Sequence, residues 1–279
     1  PNALREAAAK RGYLCFRALL PTEDVQLVRR EGLQTPARHE LLQPGSKAEE
    51  GIVRAGVFMS ENDPSDEFRS FYNDIQKLRS FHAFGQHPLI LQVLDQLFGE
   101  TVLVHPRHIC HTVFPGDRKL TTPPHQDFFP VRGSEAAWTV WTPLGDCGEE
   151  LGGGLGFVIG SNREGLLDAE LSMMECEVEE DAEWAWSPLK CGDVIMFNSL
   201  TIHQARDNET DNRMRISTSC RNQPASQPVD EHTFLPHMRW LDWDEIYADW
   251  PQDDPLKYYW AKLPHILKAP ITLIRQVYL

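Results

Sequence analysis

The chain has 279 residues, of which 41% are hydrophobic, enough for one large domain with a well-buried core. A formal net charge of −14 argues against nucleic acid or an anionic membrane surface as the main partner, because the mean field repels polyanions. No apolar run approaches the roughly 18 residues of a membrane helix, and the opening residues lack the apolar core of a signal peptide, so a soluble, cytoplasmic protein is expected. The six cysteines (Cys15, Cys110, Cys147, Cys176, Cys191, Cys220) form no C-x-x-C pair. They read as reduced thiols and suggest neither a disulfide framework nor a zinc ribbon.

In chain order, residues 2–11 are alanine-rich and stop at Gly12, the pattern of a helix followed by a short strand at 13–16. A second helix is predicted from the Pro21-Thr22-Glu23-Asp24 run, with Thr22 as its N-cap and acidic residues in its first turn. Residues 35–65 mix Pro, Gly, Ser and charge without periodicity and read as a long loop of the kind that covers a site. Helical spacing returns at 68–78 and at 88–98, the latter ending on Gly99 as a C-cap glycine would. From residue 101 the texture changes to short apolar or alternating runs at 101–105, 137–142, 156–159, 194–197 and 216–220, broken by Gly, Pro, Asp and Asn. Helices first and strands second predict a mainly β fold with flanking helices: helices in 1–100, a barrel core in 101–223 and an aromatic-rich tail in 224–279, with no internal boundary. The tail is expected to be helical and to cover the barrel or a neighbouring subunit, which makes a homo-oligomer through it possible.

His125-Gln126-Asp127 follows a Pro-Pro pair in the strand-rich part, where an extended backbone places His125 and Asp127 on one face. His203, beyond the Gly192-Asp193 turn and the strand after it, is the best third ligand. Two imidazoles and one carboxylate form the facial triad of non-haem iron(II) oxygenases, which leaves three coordination positions open. H-x-D alone is a weak signal. The ordered set of H-x-D, a G-D-x-x-x-F strand, a downstream His and arginines in a further strand is stronger.

With these residues placed, the chain resembles the phytanoyl-CoA dioxygenase family of 2-oxoglutarate oxygenases. The resemblance runs over about residues 10–225. It is carried by Gly12-Tyr13-Leu14, His125-Gln126-Asp127, Trp141-Thr142-Pro143-Leu144, Asp146-Cys147, Gly160-Ser161, Gly192-Asp193-Val194-Ile195-Met196-Phe197, His203 and Asn208. It implies a double-stranded β-helix, a jelly-roll or cupin-like core, and an enzyme that uses Fe(II), 2-oxoglutarate and O₂ to oxidise a small organic substrate with release of succinate and CO₂. Two departures touch turns and not the ligands: Ile159-Gly160-Ser161-Asn162 stands where the family has Pro-Gly-Ser-His, and Gly152-Gly153 where it has Asn-Gly.

The distal carboxylate of 2-oxoglutarate requires a cation, and arginine's bidentate fork fits it best. Arg213 is preferred, ten residues after His203 at the start of an Arg-x-x-Ile-Ser run, with Arg215 as the alternative on the same strand face. The resemblance places Trp141 against the cosubstrate. His105, His108, Cys110 and His111 invite a zinc assignment, but His108 and Cys110 face opposite His105 and His111 in an extended strand, so His108 or Cys110 is expected to point into the barrel. The glycines at 152–154 and 156 lack the Gly-Lys-Ser/Thr ending of a phosphate loop. The acidic run 175–183 reads as a solvated loop. Two rival functions remain from the sequence, a non-redox metal-binding cupin and a metal-dependent isomerase on the same barrel. The substrate is not named by any motif; a small molecule is favoured over acyl-CoA, since nothing in the acidic balance suggests a polyphosphate site.

Overall fold

The computed structural model describes residues 1–61, 63–116, 121–167 and 175–263. Helix α1 (Asn2–Arg11) ends on Gly12 in the left-handed conformation, φ 79°, with the Gly12 N–H returned to the Ala8 carbonyl. No larger residue fits there, since a Cβ would lie 2.5 Å from Thr201 Oγ1 and 2.6 Å from Asn162 Oδ1. The chain then enters β1 (Tyr13–Phe16) and α2 (Thr22–Arg38). Pro21 and not Thr22 occupies the N-cap position of α2, and no side chain caps it. The helix also runs further than expected, to Arg38, with Pro36 inside its last turn. Beyond it the irregular segment is held by isolated bridges, Leu42 to Val53 and Ile52 to Arg213.

Helix α3 (Asp66–Gln76) starts on Ser65, whose hydroxyl accepts the Phe68 N–H, and buries Phe68, Phe71, Tyr72 and Ile75 at helical spacing. Helix α4 (Arg79–Phe84) follows, then α5 (Pro88–Phe98), which has Pro at its start and Gly99 as a left-handed C-cap. The remaining elements are β2 (Val102–Val104), β3 (Ile109–Val113), the short α6 (Phe128–Val131), β4 (Trp138–Pro143), β5 (Leu155–Val158), β6 (Trp184–Ala185), β7 (Val194–Asn198), β8 (His203–Ala205), β9 (Arg215–Pro224) and α7 (Trp243–Ile246).

All strand pairs are antiparallel and fall into two sheets. The larger runs β1-β7-β4-β9-β2, with β3 pairing the other half of the same β9 edge; the smaller runs β6-β5-β8. The sheets face each other: the Phe157 ring of β5 lies 5.2 Å from Phe197 of β7, and Phe197 lies 4.3 Å from His203 of β8. This is the jelly-roll core with flanking helices.

Alternation sorts the large sheet cleanly. Cys110, Val140, Val194, Met196, Ile216 and Cys220 pack with the helices in one hydrophobic cluster, whereas Trp141, Ile195 and Phe197 join Leu155 and Phe157 between the sheets. The registers Ile109↔Ser219 and Thr139↔Phe197 keep odd-numbered residues of β3, β4, β7 and β9 on the inner face.

Among the described residues the aromatic tail is built mainly of turns, with the short α7 and 3₁₀ turns at Glu231–Phe234 and Tyr259–Lys262, and is not the helical segment expected. Its rings are consumed within the chain. Trp250 Nε1 donates to the Lys77 carbonyl at 2.8 Å, Tyr259 Oη donates to the Val104 carbonyl at 2.8 Å, and Asp254 pairs with Arg79. An oligomer through this tail therefore finds no support among the described residues, while residues 264–279 lie outside them. Among the described residues, no helix is long and apolar enough to cross a membrane.

Candidate metal centre and cosubstrate pocket

His125 and His203 are brought together by backbone pairing between the small sheet and the segment before α6. His125 N–H donates to the His203 carbonyl at 2.9 Å, and His203 N–H to the His125 carbonyl at 3.0 Å. Their rings are 4.2 Å apart. Each Nδ1 bonds a backbone carbonyl, Pro123 at 2.8 Å and Thr201 at 3.1 Å. A carbonyl only accepts, so each Nδ1 carries the proton and each Nε2 keeps its lone pair for a metal.

Asp127 departs from the extended geometry expected of it. It sits in the right-handed helical region, φ −65° and ψ −11°, at the start of α6. The turn is set by Gln126, whose side-chain amide donates to the Leu200 and Gly165 carbonyls at 2.7 and 2.9 Å and accepts the Leu167 N–H at 2.9 Å. The result still brings one ligand atom each from His125, Asp127 and His203 within 4.8 Å of one another, and all three residues are buried.

The electrostatics suit a dication. Burial alone would raise the Asp127 carboxyl, yet the Arg221 guanidinium holds it well below the usual carboxylate range. Arg221 Nη2 donates to Asp127 at 2.9 Å, and Thr139 Oγ1 donates to the other oxygen. Burial, reinforced by His125, pushes His203 down to about 3. Two neutral imidazoles and an ionised carboxylate, oriented by backbone and side-chain partners, fit the iron(II) facial triad.

The triad opens on a cavity of about 210 Å³ between the sheets. One end is lined by Trp141, Leu155, Val113 and Arg215. Arg215, first residue of β9, is buried and donates through Nη1 to the Leu151 and Arg206 carbonyls at 2.9 and 2.7 Å. Gly152 makes this packing possible, because a Cβ there would lie 2.5 Å from Arg215 Nη1. The glycines at 152–154 thus form a turn into β5 with φ 84°, 56° and 88°. Arg213, preferred over Arg215 from the sequence, precedes the strand, points outward and pairs at 2.7 Å with the exposed Glu150, so the fold brings Arg215 and not Arg213 to this cavity.

The opposite end of the cavity is lined by Arg221, Ser219, His111, Glu61, His237 and Met238. His111 contacts Ser219 Oγ at 3.0 Å and Glu61 Oε1 at 3.1 Å. The inward assignment of His108 and Cys110 is reversed. His108 packs against His82 and Phe81 at ring distances of 5.3 and 6.0 Å, on the helical side, and Cys110 presents its N–H to Tyr72 Oη at 3.4 Å. His105 bonds Gln223 at 2.9 Å. Among the described residues no second group of three metal-ligating side chains converges. Arg221 was legible in principle, since Arg215, Ser217, Ser219 and Arg221 repeat a polar residue every second position of β9.

A jelly roll with a buried two-histidine, one-aspartate triad opening on an arginine-lined cavity belongs to the non-haem iron oxygenases. The chain belongs to the phytanoyl-CoA dioxygenase (PhyH) family, whose profile matches residues 8–217, and is a non-haem oxygenase of the kind that uses Fe(II), 2-oxoglutarate and O₂. It is 26% identical over 243 residues to a 1-deoxypentalenic acid 11-beta-hydroxylase of Streptomyces arenae, covering 81% of this chain and 82% of that one. Among solved structures its fold is similar to the alpha-ketoglutarate-dependent epimerase SnoN from nogalamycin biosynthesis (TM-score 0.56, 21% identity, 82% and 84% of the two chains). It is also similar to the carbocyclase SnoK from nogalamycin biosynthesis (TM-score 0.55, 20% identity, 82% and 86%).

Proposed function

We propose that this oxygenase holds Fe(II) on His125, Asp127 and His203, binds 2-oxoglutarate against Arg215 and Trp141, and hydroxylates a small organic natural product. The single observation that carries this reading is the buried Arg215 at one end of the cavity that holds the triad. A metal-dependent isomerase on the same barrel has no need of a guanidinium there. The hydroxylase relative, which matches over four-fifths of the chain, supports hydroxylation as the outcome. A cytoplasmic setting fits the six free cysteines.

When bound, iron(II) with 2-oxoglutarate and O₂ supplies the oxidising power for C–H cleavage, with succinate and CO₂ as coproducts. The protein's share is binding and orientation. Arg215 presents a planar fork to the distal carboxylate, Trp141 and Leu155 close that end against water, and Arg221 and Thr139 keep the Asp127 carboxylate ionised and aimed.

The test is 2-oxoglutarate consumption and succinate release by the Fe(II)-loaded protein. His125→Ala, Asp127→Asn and His203→Ala should each abolish succinate formation while circular dichroism stays native-like. Asn is chosen at 127 because its amide oxygen can still accept from Arg221, which Ala cannot. Wild-type protein that binds iron yet neither binds nor consumes 2-oxoglutarate would refute the proposal, and full activity in one variant would remove that residue from the triad.

A further inference from the structure

Arg221 aims Asp127, and Arg221 must itself be aimed. Its Nε is fully enclosed with no acceptor, so only the two terminal nitrogens fix the plane of the fork. Nη2 donates to Asp127 Oδ1 at 2.9 Å, and Oδ1 is the carboxylate oxygen that lies 3.8 Å from His125 Nε2, on the side of the triad. Nη1 donates to Ser219 Oγ at 3.2 Å. Without that second bond the fork could turn toward an acceptor for its Nε and carry Nη2 away from Oδ1.

The bond to Ser219 is the first link of a longer network. His111 of β3 stands opposite Ser217 in the strand register and reaches diagonally to Ser219, with Nε2 3.0 Å from Oγ, while its Nδ1 lies 3.1 Å from Glu61 Oε1. Proton bookkeeping gives every link a direction. A guanidinium only donates, so Ser219 Oγ accepts from Arg221. The one hydroxyl proton of Ser219 has no acceptor among the described residues other than His111 Nε2, which therefore accepts. Nδ1 then carries the ring proton and donates to the Glu61 carboxylate. The donors thus run one way from Arg221 to Glu61, whose carboxylate has no lysine or arginine partner among the described residues. Bonds aligned in one sense polarise and strengthen one another, and a buried network satisfied along its length is rigid.

We propose that Glu61, His111 and Ser219 are positioning residues for the metal ligand Asp127, acting through Arg221. Glu61, His111, Ser219 and Arg221 all line the cavity that holds the triad, so the cavity wall opposite Arg215 and the support of the metal ligand are the same side chains. They come from the irregular segment before α3, from β3 and from β9, and the network closes only where these three meet. The proposal rests on the triad of His125, Asp127 and His203 as the metal site, and it concerns metal affinity, which is measurable without turnover.

The probe is Co(II), titrated calorimetrically into the metal-free protein and followed by its visible absorption. Ser219→Ala and His111→Phe each cut the network and should weaken Co(II) binding by roughly ten-fold, the scale of losing an outer support of a metal ligand, with a changed absorption band. On metal-saturated protein both should bind 2-oxoglutarate with wild-type affinity, because Arg215 at the other end is untouched. Glu61→Gln keeps an acceptor for His111 Nδ1 and should stay within about three-fold of wild type, whereas Glu61→Leu should lose as much as His111→Phe. Glu61 is partly exposed, so this pair reports even if a buried variant does not fold. Wild-type Co(II) affinity and absorption in Ser219→Ala, His111→Phe and Glu61→Leu would overturn the proposal. So would equal losses in Glu61→Gln and Glu61→Leu, or a loss accompanied by equally weakened 2-oxoglutarate binding and a lowered melting temperature. Failure of the metal site itself looks different, as wild-type protein that takes up no Co(II), and it would remove the proposal together with the triad.

Discussion

Replacing Arg215 by lysine keeps the charge and removes the fork, so it isolates what the guanidinium geometry contributes. Arg215 is buried, and its Nη1 already bonds two carbonyls, Leu151 and Arg206, so a carboxylate placed beside it meets a fixed, largely desolvated donor. Truncating one partner of such a buried pair costs about 2–5 kcal/mol, which the lysine should recover only in part, leaving a loss of roughly 1.5–3 kcal/mol. The dissociation constant of 2-oxoglutarate should then rise by about 10- to 150-fold. Arg213 provides the control. It is half-exposed and pairs with an exposed glutamate, so Arg213→Ala should change affinity by no more than about five-fold. The assay is anaerobic calorimetry of 2-oxoglutarate on Mn(II)-loaded protein, with urea unfolding alongside, because Arg215→Lys also weakens two internal hydrogen bonds. Near-wild-type affinity in Arg215→Lys together with a large loss in Arg213→Ala would refute the assignment and return the cosubstrate to Arg213.

Stability should fall on mild acidification. Burial pushes His82 down to about 4 and His105 and His108 to about 3, so these imidazoles stay neutral in the fold and take up protons once unfolded. Their contribution is complete above the unfolded value near pH 6.5 and is lost as pH drops from there toward the folded values, about 2 kcal/mol per histidine by pH 5. Urea midpoints that stay flat over that interval would contradict it. Gly152→Ala should destabilise the protein by roughly 2–4 kcal/mol and weaken 2-oxoglutarate binding, because the residue has φ 84° and its Cβ would press on Arg215 and on the Arg206 and Asp207 carbonyls; wild-type melting and affinity would disprove the packing argument. In the proposed triad Asp127 fills a coordination position that a halide would need, so turnover in chloride or bromide buffer should give oxygenated or desaturated product. A halogenated product from the unmodified enzyme would falsify this.

Local physics was sufficient for much of the architecture. Gly12 and Gly99 end helices because only glycine accepts their left-handed backbone, and α5 runs over Pro88–Phe98 as its apolar spacing, Pro start and Gly stop require. The triad was legible for a chemical reason: few functions need H-x-D followed by a histidine beyond a G-D-x-x-x-F strand. Alternation along β3 and β9 was legible too, as a relation between neighbours, and it separates His108 and Cys110 from His111. It does not say which set faces the cavity. A strand with one wet face marks its inner side by hydrophobicity, but here both faces of the large sheet are covered, by helices on one side and the small sheet on the other. Thus all six residues of β4 are buried, as are nine of the ten in β9. Only the packing of α3 and α4 against Cys110 and His108 decides the parity, and with it the choice of Arg215, His111 and Arg221 as side chains that line the cavity. The same holds for Asp127, whose aim depends on Arg221, 94 residues away in the chain and 2.9 Å away in the fold.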